Sequence, residues 1–139
     1  MPLLEQVLEK NPNTVKLVFK NFPLPRHLFA TKAAAAALAA GRQGKFWEYH
    51  DRLFDNYRNL SDEKFKEIAG ELKLNQLEFE QGMKDPEILA RVRRDSIEGK
   101  NAGVSGTPTI FINGRQLKNR TLPGFQALID KELAVRLKK

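Results

Sequence analysis

The sequence contains no cysteine among its 139 residues. Without thiols, the chain forms no disulfide, presents no thiolate nucleophile and holds no cysteine-ligated metal. Cysteine usage therefore says nothing about the compartment in which the protein works. A chain of this length can still bury one hydrophobic core without such crosslinks.

Long hydrophobic stretches are also absent. The longest weakly polar run, Ala33–Ala40, is far shorter than the roughly 20 apolar residues that cross a bilayer. The opening residues, Met1–Glu5, lack the basic and then apolar segments of a secretory signal. We therefore predict no membrane span, and a protein that is either cytoplasmic or a mature or trimmed form.

The net charge is +7, from 24 basic and 17 acidic residues. Acidic residues are interspersed through most of the chain, and aromatic residues do not alternate with the basic ones. This pattern favours solvated helix faces and a basic tail, so we predict no nucleic-acid partner. The basic clusters are Arg91, Arg93, Arg94, then Arg115, Lys118, Arg120, and finally Arg136, Lys138, Lys139.

Residues for catalysis or metal binding are few. His27 and His50 are the only histidines, and no carboxylate cluster accompanies them, which makes a weak metal site. His50 lies in an aromatic helical stripe, which favours a core or boundary position. No hydrolytic triad, carboxylate dyad or glycine-rich phosphate loop is present. We predict no metal, no cofactor and no catalytic residue in this chain.

The first part of the chain reads as a helix followed by a strand. Apolar residues of Leu3–Lys10 share one helical face, and Asn11-Pro12-Asn13 ends that helix. Apolar and basic residues then alternate over much of Thr14–Lys20, which predicts a strand. A proline-fixed connector, Asn21–Pro25, follows.

Five helices are predicted next. The first, Arg26–Ala40, is alanine-rich and is interrupted by Gly41 and Gly44. The second has an amphipathic stripe from Phe46 to Tyr57, which we expect to be buried. The N-caps of the other three are Ser61, Asn75 and Asp85. The helix after Ser61 bears Phe65, Ile68, Ala69 and Leu72. In the helix after Asp85, helical spacing is followed by Ile88, Leu89, Val92, Ser96 and Gly99.

The pattern changes at Gly103. The segment Gly103–Pro108 reads as a loop, Thr109–Ile112 as a strand, and Asn113-Gly114 as a hairpin turn. The last helix has one apolar face, formed by Phe125, Leu128, Ile129, Leu133 and Leu137. The chain lacks repeats and linkers, so we predict a single domain over residues 1–139.

The segment Gly103–Gly114 resembles the G-V-x-G-T-P-T-x-F-I-N-G signature of the DsbA-like thioredoxin-fold family. Residues 16–24 and 44–51 resemble further family patterns. The resemblance implies an α/β, thioredoxin-like fold of the DsbA type, with a helical insertion at about 27–102 and without the first strand. It also implies kinship with thiol–disulfide oxidoreductases.

The family's Cys-x-x-Cys motif is missing from this chain. Family members carry it at the start of their first helix, after a strand, whereas this sequence opens at Met1–Val7. Because strand and cysteines are missing together, we expect truncation or an alternative start, with natural divergence as the other explanation. As written, the chain is predicted to be inactive in redox exchange, so its status as an enzyme stays open.

The resemblance marks Gly106, Thr107 and Pro108 as the substrate-binding residues. It implies a cis bond before Pro108 and main-chain groups at Thr107 that pair with an extended peptide or protein substrate. One alternative is a non-catalytic peptide-binding or chaperone-like module. Another is a glutathione-using isomerase or transferase of the same fold.

The absent strand would leave a strand edge without a neighbour. Unpaired strand edges recruit other chains, so we expect a homodimer or a strand-exchanged oligomer, or closure of the gap by a strand shift. The resemblance implies a periplasmic or other extracytoplasmic home, although the sequence itself leaves the localisation unknown.

Overall fold

The computed structural model describes residues 2–25, 27 and 29–137. This part of the chain contains seven helices and one two-stranded hairpin. In order they are α1 (Pro2–Lys10), α2 (Ala30–Gly41), α3 (Phe46–Asp55), α4 (Asp62–Glu71), α5 (Gln76–Met83), α6 (Pro86–Asn101), β1 (Phe111–Ile112), β2 (Arg115–Gln116) and α7 (Leu122–Leu137). None of the helices described is both long enough and apolar enough to cross a bilayer.

The chain divides into two compact units. One comprises Met1–Phe19 with Gly106–Lys139, and the other comprises Lys20–Ser105. The predicted helical insertion, residues 27–102, falls inside the second unit. The five helices predicted between the first helix and the hairpin are all found.

The helical unit is built around the alanine-rich helix α2. Residues 35–40 of α2 are buried, and α2 packs against α3, α5 and α6. Small side chains allow a close approach, because a Cβ added at Gly82 of α5 would lie 2.9 Å from the Cβ of Ala39. The largest fully buried side chains around α2 are Tyr49, Phe65, Ile68 and Phe79.

Three N-caps predicted from the sequence are confirmed. The Ser61 hydroxyl accepts a hydrogen bond from the N–H of Lys64, at 3.1 Å. The side chains of Asn75 and Asp85 open α5 and α6 in the same way. Each cap satisfies a backbone donor that the first turn of a helix leaves without a partner.

The other unit packs α1 and α7 together, and α7 also contacts β1. Its small core consists of Val7, Leu117, Phe125 and Ile129. The buried Asn11 side chain exchanges two hydrogen bonds with Gln126, at 2.9 and 3.1 Å.

The predicted hairpin turn is present. Asn113 and Gly114 have φ of 49° and 82°, the left-handed values that a two-residue turn between antiparallel strands requires. Phe111 pairs with Gln116, and Ile112 pairs with Arg115. The strand predicted at Thr109–Ile112 is shorter than expected, although Leu117 still donates a backbone bond to Ile110 at 2.8 Å.

The predicted strand at Thr14–Lys20 was wrong, because this segment forms no β-strand. The alternating burial is nevertheless present: Val15, Leu17 and Phe19 are partly buried, and the residues between them are exposed. A pattern of period two sets which side chains face inward, but a strand also needs a hydrogen-bonded neighbour. The sheet of the described residues contains only β1 and β2.

The alanine-rich helix begins later than predicted, at Ala30. Pro25 lies in a turn and His27 in an exposed bend that precedes the helix. The predicted first helical residue, Arg26, and the end of the basic tail, Lys138-Lys139, lie outside the described residues. Proline disfavours helical backbone at the residue that precedes it, so Pro23 and Pro25 keep the connector before α2 non-helical.

The burial predicted for several apolar side chains was also wrong. In α3 the fully buried aromatic residue is Tyr49, whereas Trp47 and Phe54 are 40% and 56% exposed. Aromatic residues of α3 lie on more than one face of the helix, so their spacing alone did not identify the face that is buried. Leu89 of α6 and Leu137 of α7, which share helical spacing with buried residues, are exposed as well.

Candidate functional site

Helix α6 ends just before the proline loop, residues 106–108. The N–H of Val104 donates to the carbonyl of Gly99 at 2.9 Å, and Gly103 has φ of +87°. This left-handed glycine after the helix is a common way to end it.

The proline loop opens the other unit. The Thr107–Pro108 peptide bond is cis, and both residues are exposed. The carbonyl of Gly106 accepts a bond from the Thr109 hydroxyl at 2.7 Å, and the carbonyl of Pro108 accepts one from Arg120 at 3.0 Å. Two of the three carbonyls in the loop are therefore already bonded.

Thr107 differs from its neighbours. Among the described residues, neither its N–H nor its carbonyl makes a hydrogen bond. The residue is exposed, and it therefore offers one main-chain donor and one main-chain acceptor that have no partner among the described residues. Such a pair can bond an extended polypeptide.

Gly106 leaves room beside Thr107. Nothing in the described part of the chain lies within 4 Å of the place where a Cβ would stand on Gly106, apart from its chain neighbours. The packing of the chain itself therefore does not require glycine here. The space beside Gly106 is open.

The outer edge of β1 continues from the loop. Leu117 bonds to Ile110, and bonding in an antiparallel ladder alternates, so Thr109 and Phe111 direct their main-chain groups away from β2. No backbone bond joins these two residues to another described part of the chain. The Phe111 side chain is 39% exposed.

Asp95 was not identified as notable from the sequence. It is buried in α6, and one carboxylate oxygen accepts bonds from the Asn21 main-chain N–H at 3.0 Å and side-chain amide at 2.9 Å. The Nζ atom of Lys20 lies 3.9 Å from the other carboxylate oxygen of Asp95. The signal was available, because Asp95 falls on the helical spacing of Ile88 and Val92, where apolar residues are expected.

The two histidines, His27 and His50, differ in exposure. His50 is buried, as expected for a core histidine, and its Nδ1 lies 3.3 Å from the carboxylate of Asp51. Burial lowers the pKa of His50, and Asp51 opposes that effect in part. His27 is exposed. Among the described residues, no group of three or more histidine, aspartate or glutamate side chains is placed so that it could hold a metal ion.

The fold, the hairpin and the proline loop define a thioredoxin-like protein, and comparison with known proteins agrees. The family model described as Thioredoxin matches residues 2–131. The chain therefore belongs to the thioredoxin family, and the DsbA-like resemblance is confirmed.

The curated relatives that match the chain include proteins of two different kinds. The chain is 31% identical over 140 residues to the "Probable disulfide bond formation protein D" of Bacillus anthracis, covering 94% of this chain and 63% of the relative. It is 36% identical over 104 residues to "Na(+)/H(+) antiporter NhaA 3" of Salinispora tropica, covering 74% of this chain. The match spans only 16% of that antiporter.

A solved structure shows the same fold. It is "a thioredoxin-like oxidoreductase from Silicibacter pomeroyi DSS-3", with a TM-score of 0.82 and 24% sequence identity. The match covers 96% of this chain and 77% of that one. The fold is therefore thioredoxin-like, with mostly helices and a small sheet.

Proposed function

We propose that this chain binds an extended polypeptide at residues 106–108 and, as written, performs no thiol–disulfide exchange. The observation that carries the proposal is the exposed main chain of Thr107, whose donor and acceptor make no bond among the described residues. An extended segment that lies beside Thr107 would satisfy both groups. The space beside Gly106 would admit its backbone.

The absence of redox activity follows from composition. Exchange proceeds by attack of a thiolate on a disulfide sulfur, and the 139 residues contain no cysteine. No other side chain can form the mixed disulfide. The chain thus keeps one part of the family's chemistry, the recognition of polypeptide, and lacks the reacting atoms.

The redox claim is tested by insulin reduction with dithiothreitol as electron donor. The chain should give the same rate as buffer, while a cysteine-containing thioredoxin run in parallel should accelerate the reaction. Turnover by this chain would show that the account of its chemistry is wrong.

The binding claim is tested by fluorescence anisotropy with fluorescein-labelled, S-alkylated insulin B chain, an unfolded probe without free thiols. Thr107→Pro removes the loop's donor and should weaken binding by about tenfold or more. Thr107→Ala is the matched control: it removes the hydroxyl, keeps the main-chain donor and acceptor, and should bind like the parent chain.

Two outcomes would favour another function. Binding that is equally strong in the parent chain and the Thr107→Pro variant would place the peptide elsewhere on the surface. Binding of glutathione without binding of the B chain would favour an isomerase or transferase of the same fold. Circular dichroism of each variant verifies that the fold is intact.

A further inference from the structure

We propose that Arg120 makes the proline loop selective for polypeptide segments that carry a glutamate or aspartate next to the residue that pairs with Thr107. The inference rests on the proposed function, because it concerns which polypeptides residues 106–108 bind. It names a substrate class, which is extended segments with acidic side chains. The carboxylate of such a segment binds the Arg120 guanidinium while its main chain bonds to Thr107.

Arg120 lies beside the main chain that the proposed function uses. Its Nη1 donates to the carbonyl of Pro108 at 3.0 Å, and Pro108 is the residue directly after Thr107. A strand that pairs with another runs about 4.8 Å from it, and consecutive Cα atoms are about 3.8 Å apart. An acidic side chain next to the paired residue is therefore within reach of the guanidinium.

The guanidinium retains donors that the loop does not use. An arginine side chain carries several N–H groups in a fixed fork, and the bond to Pro108 is the one that Arg120 donates among the described residues. The residue is exposed. Because the geometry of the fork matches a carboxylate, the remaining donors can bind an acidic side chain of the polypeptide.

Arg120 has no acidic neighbour among the described residues. It belongs to the basic cluster Arg115, Lys118 and Arg120, in which Arg115 already pairs with Glu132 at 2.8 Å. Within the part of the chain that the structure describes, Lys118 and Arg120 form no ion pair with a carboxylate. The charge beside the loop is therefore positive, which favours an acidic partner over a basic one.

The start of α7 holds the backbone on both sides of Arg120. The side-chain oxygen of Asn119 accepts bonds from the N–H and the hydroxyl of Thr121, at 3.3 and 2.8 Å. The hydroxyl of Thr121 in turn accepts a bond from the N–H of Gly124 at 3.1 Å. Negative charge is favoured near the N-terminus of a helix. The helix start thus positions Arg120 and adds to its preference for an anion.

The test compares two fluorescein-labelled, thiol-free peptides by fluorescence anisotropy. Both have an extended sequence of threonine and valine, and they differ only at the centre, where one carries glutamates and the other glutamines. At low ionic strength the parent chain should bind the glutamate peptide about two- to fivefold more tightly, as expected of an exposed ion pair. Sodium chloride at about 1 M should reduce this preference, because it screens the pair.

Variants of the chain assign the preference to one side chain. Arg120→Gln should abolish the preference, and Arg120→Glu should reverse it. Arg136→Gln is the matched control, since it makes the same charge change on an exposed arginine in the last turn of α7, roughly 20 Å from the start of that helix. This control should keep the preference of the parent chain. A purely structural role of Arg120 would weaken both peptides alike and leave the preference unchanged.

The failure of this inference differs from the failure of the proposed function. Equal binding of the two peptides by the parent chain, or a preference that Arg120→Gln leaves intact, would overturn the role of Arg120 and leave polypeptide binding in place. Binding of neither peptide would overturn the proposed function and the inference together. Thr107→Pro should weaken both peptides, and a glutamate preference that survives in full in this variant would place the acidic segment elsewhere on the surface.

Discussion

At the scale of single residues, two helical glycines allow the effect of close packing to be distinguished from the effect of helix propensity. Gly82 lies against Ala39, whereas Gly70 of α4 is exposed and an added Cβ there would meet only the Gln76 amide, at 3.5 Å. Both lie within helices, where alanine is intrinsically favoured by about 0.5–1 kcal/mol. Both glycines have helical backbone, so the two sites differ mainly in the atoms that surround them.

Gly82→Ala should destabilise the protein by about 1–2 kcal/mol, because overpacking against α2 outweighs the gain in helix propensity. Gly70→Ala, the matched control, should stabilise it by about 0.5–1 kcal/mol. Urea unfolding followed by circular dichroism measures both. The two substitutions should have opposite signs, and a stabilising Gly82→Ala would contradict the close packing of α2 and α5.

Asp95 shows that one buried carboxylate can fix a connector. Its oxygen accepts both the main-chain and side-chain N–H groups of Asn21, which is itself buried. Lys20 also bonds to Glu98, at 3.5 Å, but that pair is exposed. Two neighbouring acids on α6 thus have different environments.

Asp95→Ala should cost about 2–4 kcal/mol, since it leaves two donors of Asn21 buried without an acceptor. Glu98→Ala removes only an exposed ion pair and should cost less than about 1 kcal/mol. Thermal and urea unfolding of the two variants provide the comparison. Equal losses would mean that Asp95 does not hold the connector.

At the scale of secondary-structure elements, helix starts were the most predictable feature of the sequence. The caps at Ser61, Asn75 and Asp85 depend on residues no more than three positions away, so local sequence contains the needed information. The start of α2 was harder to locate, because His27 lies in a bend and the alanine-rich helix begins only at Ala30.

The stability that the Asp85 carboxylate gives to the start of α6 depends on pH. The N–H of Glu87 and the guanidinium of Arg42 each bond to its carboxylate at 2.8 Å, and these contacts hold the pKa of Asp85 below its ordinary value of 3.8. A folded-state pKa lower than the unfolded one gives stability that is present above the unfolded value and is lost as pH falls through the folded value.

The melting temperature of the parent chain should therefore exceed that of Asp85→Asn by a constant margin near neutral pH, and the margin should shrink below about pH 4. Asp55→Asn makes the same charge change on an exposed residue that caps no helix. The margin of this control should be smaller than that of Asp85→Asn near neutral pH. A margin for Asp85 that grows in acid would contradict the assigned contacts.

At the scale of the whole molecule, sequence and structure agree on the order of elements and differ on the sheet. Helices satisfy their hydrogen bonds locally, which is why all five central helices were predicted. A strand at Thr14–Lys20 required a neighbour from a distant part of the chain, and period-two alternation could not reveal that none pairs with it here.

The candidate site was predictable in location but not in detail. The twelve residues Gly103–Gly114 identified the loop and the hairpin turn through family resemblance. Thr109 and Arg120 donate to the carbonyls of Gly106 and Pro108, and these contacts could not be inferred from the motif.

Amide hydrogen exchange at Thr107 tests the central claim most directly, because its N–H is the donor that a bound polypeptide would use. Exchange is measured by NMR with and without saturating S-alkylated insulin B chain, and the Gly114 amide in the hairpin turn serves as internal control. We predict that the probe slows exchange at Thr107 and leaves Gly114 unchanged. Unaltered exchange at Thr107 in the presence of bound probe would contradict polypeptide recognition by the proline loop.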